Sequence, residues 1–164
     1  MTDRLSTRHR ISNIVRYLIM DNDQIKAKIQ DFIGKNVLAV VSTIHTDMSG
    51  PESAVVGFAE THDFNIYFAT SNTSRKFKNI EKNPNISLVI GWSGELGTVQ
   101  YEGTASLVQQ DERAVSIELL SKKNPYFAKV IATKTDTVVF KVKPRWIRFL
   151  DSSAKPQNIY ELNF

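Results

Sequence analysis

Apolar positions change their spacing several times along this chain. Ile11, Ile14, Val15, Leu18 and Ile19 recur at helical intervals, with Ser6 or Thr7 placed to cap the first turn. Ile25, Ile29, Phe32 and Ile33 form a second helical face, which Asp21, Asn22 or Asp23 would cap and Gly34 would end. From residue 37 the period shortens to two. "VLAVVSTI", "SAVVGFA" and "FNIYFAT" read as three strands, separated by the turn-rich "TDMSGPE" and "ETHD", and the third strand sets Phe64, Ile66 and Phe68 on one face. A helix is predicted over residues 73–83 and ends before Pro84. "NISLVIGW", the turn "SGELG" and "TVQYEGTASLVQ" then give a strand, a turn and a long strand with a bend or bulge at Gly103. Residues 111–132 read as two helical pieces, the first capped by Asp111 and the second opened by Asn124-Pro125. "DTVVFKVKPRWIRFLD" returns to strand, where Pro144 requires a break or an edge, and "SSAKPQNIYELNF" reads as a polar, irregular tail.

Six or seven mostly consecutive strands with few helices predict a mainly β (α+β) fold, an antiparallel barrel with flanking helices, since closure removes exposed edges. A length of 164 residues with 41% hydrophobic content suits one domain: a helical extension over residues 1–35, a barrel over 36–151 and a tail over 152–164. With no cysteine, disulfides, thiolate metal sites and cysteine nucleophiles are excluded. The apolar run Tyr17–Met20 is too short for a signal-peptide core, and no stretch is long enough to span a bilayer as a helix, so a cytoplasmic location without membrane contact is expected.

Net charge is +4, of which Arg4, Arg8, Arg10 and Arg16 against Asp3 place +3 before residue 20. The rest of the chain is nearly neutral, and four arginines are read as a solvated or partner-packed arm rather than as a nucleic-acid surface. His9, His45 and His62 lie in separate segments without metal-ligand spacing, so no metal is expected. Trp92 and Trp146 are read as core aromatics. Neither a nucleophile elbow nor a Walker loop occurs, and no catalytic residue is nominated.

One stretch stands apart, "FATSNTSRKFKNIEKNP". Thr70, Ser71, Thr73 and Ser74 precede Arg75 and Lys76 where a strand hands over to a helix. Unpaired N–H groups at a helix start, hydroxyls, a planar guanidinium and an ammonium together make an anion site, best matched by a phosphate monoester. The same residues would also serve as ordinary caps and a solvated basic face.

The sequence "TSRKFKNIEKNPNISLVIGW" with "GTVQYEG" after it resembles the pyridoxamine 5′-phosphate oxidase-like family of FMN-binding split barrels, over about residues 36–151. The resemblance implies that Ser74, Arg75 and Lys76 hold the FMN phosphate and that Ala69, Thr70 and Ser71 line the ribityl and ring. It also implies that backbone at Ala54, Val55 and Val56 bonds the polar edge of the isoalloxazine, and that Thr98 or Gln100 supplies the family's glutamine contact. Ala54 and Ala59 stand where the true oxidases carry cations, Leu150 where they carry a tryptophan, and their Arg-Leu-Ala-Pro ending is missing. The expectation is therefore an FMN-dependent oxidoreductase other than an authentic pyridoxamine phosphate oxidase, acting on a small molecule as a homodimer with flavin at the subunit interface. The alternative is a non-catalytic flavin, deazaflavin or haem binding or sensor protein.

Overall fold

A computed structural model describes residues 20–92 and 96–164. The helix expected at residues 11–19 lies outside them. Asp21 caps α1 (Asn22–Lys35) in a reciprocal box with Gln24, and α1 turns Ile29 and Ile33 into the core. The strands β1 (Leu38–Ile44), β2 (Pro51–Glu60) and β3 (Ile66–Ser71) follow as a meander. After α2 (Arg75–Lys82) come β4 (Asn85–Ile90) and β5 (Gly97–Leu107). The helices α3 (Gln110–Lys123) and α4 (Pro125–Thr133) lead to the long β6 (Thr137–Asp151) and to β7 (Asn158–Asn163).

The sheet runs β3-β2-β1-β4-β5-β6-β7, and β3 also pairs with β6, which closes six antiparallel strands into a barrel. β6 can serve both ends because it is long. Its first half, Thr137–Val142, closes on β3, and its second half, Trp146–Asp151, carries β7. The break between them is the expected one: the β5–β6 register shifts at Glu102/Gly103, and Gly103 faces Pro144. A Cβ on Gly103 would meet the Lys143 carbonyl oxygen at 2.4 Å, so only glycine fits this crossing.

The barrel interior is filled by Phe58, Phe68, Leu88, Tyr101 and Ile147. Tyr101 is fully buried and directs its hydroxyl at the carbonyl oxygens of Phe64 and Val142, each 3.0 Å away. A second, smaller core lies outside the barrel, where Leu120 of α3 covers Ala59, Tyr67 and Val139.

Four details differ from the sequence reading. The first piece of the 111–132 region is capped by Gln109 without a side-chain bond, and Asp111 lies inside its first turn. α1 ends at Lys35, one residue past Gly34, because the Asn36 amide still bonds the Ile33 carbonyl. The tail holds β7, whose Leu162 is buried opposite Ile147 while its polar neighbours face out. Neither tryptophan joins the core: Trp92 is exposed and Trp146 half-buried.

Candidate functional site

β2 and β3 stay together only over Phe58–Glu60. Before Phe58 they part, β2 remaining on β1 while β3 follows β6 as far as Ser71. Which backbone groups the parting leaves open follows from alternation. The Phe58 amide bonds Val37 on the β1 side at 3.3 Å, and the Gly50 carbonyl accepts from His45 on that same side at 2.9 Å. The even-numbered residues of β2, Ala54 and Val56 among them, therefore turn their N–H and C=O toward β1, and Ser53 and Val55 turn theirs toward the gap. Of the three backbone positions expected to meet a ligand, Val55 alone presents polar groups there.

The other wall of the gap is the β3–α2 corner. Ser74 caps α2, its Oγ accepting from the Phe77 amide at 3.2 Å and lying 3.0 Å from Thr70 Oγ1. Lys76 Nζ donates to Thr70 Oγ1 at 3.3 Å. No acidic residue occupies the first turn of α2, although Glu52 of β2 pairs with its first residue, Arg75. Between the walls lies a cleft of about 200 Å³ lined by Glu52, Ser53, Ala54, Arg75 and Lys76.

Lys76 is half-buried, burial lowers its pKa from the ordinary 10.5, and it has no carboxylate partner among the described residues. A desolvated cation without a counter-ion is held at a cost, and an anion in the cleft would remove that cost. Arg75 is engaged differently. Its guanidinium, 82% exposed, pairs with Glu52 Oε1 at 2.8 Å, and the Glu52 side chain is only 19% exposed. Asn79 of α2, fully buried, donates to Glu52 Oε2 at 2.7 Å and to Thr43 Oγ1 at 3.0 Å.

The structure thus brings Ala54, Arg75 and Lys76 to the cleft and ties Thr70 and Ser74 to Lys76 by hydrogen bonds. Strand alternation turns Ser71 and Ala69 to the opposite face of β3 from Thr70. The Ser71 hydroxyl bonds Asp136 and Thr73, and Ala69 packs against the outer core. Val56 points its side chain into the barrel. Thr98 and Gln100 lie on β5, three strand spacings or about 14 Å along the sheet from β2. They do not reach the cleft of their own chain. Sequence reading missed Glu52 and Asn79, the first placed in a turn and the second inside a helix.

A family model described as pyridoxamine 5′-phosphate oxidase matches residues 25–151. The chain belongs to this family. Among curated proteins it has no match. Solved structures of the same fold include the General Stress Protein 26 of Bacillus anthracis str. Sterne, at 25% identity and a TM-score of 0.61, covering 84% of this chain and 98% of that one. A haem-binding protein from Mycobacterium smegmatis aligns at 14% identity and a TM-score of 0.73, over 89% of this chain and 60% of its own length. The haem storage protein of Vibrio cholerae aligns at 16% identity and a TM-score of 0.63, over 73% of this chain and 89% of its own. The family fold is the split barrel just described, and the parting of β2 from β3 is where the cleft opens.

A second cavity, about 750 Å³, lies between α1, the β2–β3 turn and Phe164. Its rim holds Asp23, Asp31, Glu60 and Asp63, the first three paired with Lys26, Lys35 and Lys123. His62 stands on this rim, exposed, and His45 pairs with Asp47 in the β1–β2 turn. Among the described residues no three His, Asp or Glu side chains gather as a metal site, and no helix is long and apolar enough to cross a membrane.

Proposed function

We propose that the protein binds FMN in the β2–α2 cleft as a homodimer and serves as an FMN-dependent oxidoreductase for a small molecule. The observation that carries this reading is Lys76, a half-buried cation without an acidic partner among the described residues, set among the Thr70 and Ser74 hydroxyls at a helix start. The donor set suits a phosphate: an ammonium and two hydroxyls are joined by hydrogen bonds at the first turn of α2. Bound FMN supplies the hydride and electron transfer. The chain's own residues bind and orient. Lys76, Ser74 and Thr70 fix the phosphate, and the outward N–H and C=O of Val55 hold the polar edge of the ring.

The second copy follows from size and distance. A cleft of about 200 Å³ falls below the roughly 300 Å³ at which pockets begin to enclose a small molecule. Gln100 and Thr98 stand on the outer sheet face about 14 Å from their own cleft, beyond side-chain reach. Val55, 60% exposed, shares that outer face with Leu38, 41% exposed, an apolar patch suited to a two-fold contact. Across such a contact β5 of the second copy completes the flavin site.

The competing ligand is haem, because two solved structures of this fold are named for it. Among the described residues, His62 lines a cavity of about 750 Å³. Absorbance and mass of the ligand released from freshly purified protein separate FMN, a deazaflavin and haem. FMN bound more tightly than riboflavin, by a protein that elutes as a dimer, supports the proposal. A Soret band, or equal affinity for FMN and riboflavin, overturns it.

A further inference from the structure

The cavity of about 750 Å³ has for one wall a face of α1 that the barrel does not use. Ile29 and Ile33 enter the core, whereas Asp23, Ala27 and Gln30 line the cavity, and the edge-to-face rings of Phe64 and Phe164 give it an apolar surface. Gln30 Nε2 donates to the Thr61 carbonyl at 3.3 Å, but Gln30 Oε1 is buried without a bonding partner among the described residues. An acceptor so placed is held at a cost that a donor entering the cavity removes. Asp63 on the rim likewise has no cationic partner among the described residues, although the three other carboxylates there are paired.

We propose that the occupant of this cavity is residues 11–19 of the same chain, folded back along α1. The helix that the sequence predicts there has an apolar stripe, Ile11, Ile14, Val15 and Leu18, which needs cover. Its length matches. Ile11 to Leu18 spans seven residues, as does Asp23 to Gln30, about 10 Å of helix in each case. Met20 and Asp21 alone separate the segment from α1, enough for a turn between antiparallel helices, and the extended backbone of Asp21 takes the chain off the α1 axis. Folding back sets Leu18 beside Asp23, Val15 beside Ala27 and Ile11 beside Gln30. Arg8 and Arg10 follow at the far end, where the Gln30–Thr61 bond holds the β2–β3 turn, and Asp63 of that turn is the carboxylate they meet. Attachment through two residues gives this segment a high effective concentration over any occupant from solution.

Because the chain has no cysteine, an engineered pair reports the position of the segment in the full-length protein without background. Val15→Cys combined with Ala27→Cys should close a disulfide within one chain about tenfold faster under mild oxidation than Asn13→Cys combined with Ala27→Cys, since residue 13 lies on the opposite face of the same predicted helix. Ala27 is exposed, so its replacement by cysteine leaves the core untouched. Equal rates for the two pairs, the behaviour of a loose tether, overturn the inference. So does a disulfide that joins two chains on a non-reducing gel, because the segment then reaches a second copy. Thermal melts give an independent measurement. Ile14→Asp should lower Tm by about 5 °C by placing a charge in the filled cavity, and Asn13→Asp on the far face should leave Tm within about 1 °C of the native value. An Ile14→Asp protein that melts with the native one, or an Asn13→Asp protein that loses as much as Ile14→Asp, overturns the inference.

Discussion

Replacing Lys76 by methionine keeps the length of the side chain and its apolar stem while deleting the cation. In the ligand-free protein the ammonium is desolvated and bonded only to the Thr70 hydroxyl among the described residues, so its removal should leave stability within about 0.5 kcal/mol of the native value. Toward a phosphate the same group provides a charge-assisted bond, worth about 1.5–3 kcal/mol when well excluded from water. Half-burial places Lys76 toward the low end of that range, and each 1.4 kcal/mol is about a factor of ten, so FMN affinity should fall about tenfold or somewhat more. Riboflavin, which lacks the phosphate, should bind both proteins alike. The pH dependence has a definite sign. Burial lowers the Lys76 pKa below 10.5, and a bound phosphate raises it again, so FMN binding takes up a proton and weakens as pH rises through the ligand-free pKa. Fluorescence titrations over neutral to alkaline pH check both statements, and Lys76→Met should abolish the alkaline limb. Equal losses for FMN and riboflavin, or an alkaline limb that survives the substitution, would refute the reasoning.

Two further outcomes concern the frame that holds the cleft. Lys123 of α3, 11% exposed, pairs with Glu60, 13% exposed, donates to the Ile33 carbonyl at 3.0 Å and lies 3.9 Å from the Phe58 ring centroid. Lys123→Met alone should therefore cost about 3–5 kcal/mol by stranding the Glu60 carboxylate, and Glu60→Gln added to it should restore most of the loss, as denaturant midpoints will show. At the end of β6, burial raises the Asp151 pKa, but bonds from Lys28, at 2.8 Å, and from Ser153 outweigh it and leave the pKa below 3.8. A depressed carboxylate contributes stability above its unfolded pKa and loses it as pH falls through the folded value, so Asp151→Asn should lower stability at neutral pH and flatten the acid limb of the melting profile.

The barrel was legible because its signals are local. Alternating apolar residues mark β1 to β6, Ser74 and Pro84 bracket α2, and the bulge at Gly103 follows from one glycine inside a long strand. Hydroxyls before Arg75-Lys76 marked the corner of the cleft as well. The remainder depended on partners distant in sequence. Alternation assigns faces of a strand but not its free edge, so it could not show that Val55 rather than Ala54 or Val56 opens toward the gap. Glu52 and Asn79 are 27 residues apart and acquire meaning only when α2 packs across β1 and β2. Ser71 looked like its neighbours until β6 brought Asp136 to it. β7 hides in a polar segment because an edge strand needs only one buried residue, Leu162, to fix its register on β6.

The corner that holds Thr70 and Ser74 stands at the end of β3 where Ser71 lies opposite Thr137 and Ile66 opposite Val142. Among the described residues no ladder neighbour from the first half of the chain supports that end, since β2 has already turned away. During folding, then, the corner has to wait for a strand that lies more than sixty residues further on, and pairings of such long range form slowly. Damage near residue 140 would surface as a displaced Thr70–Ser74 corner rather than as a defect at the damaged strand itself.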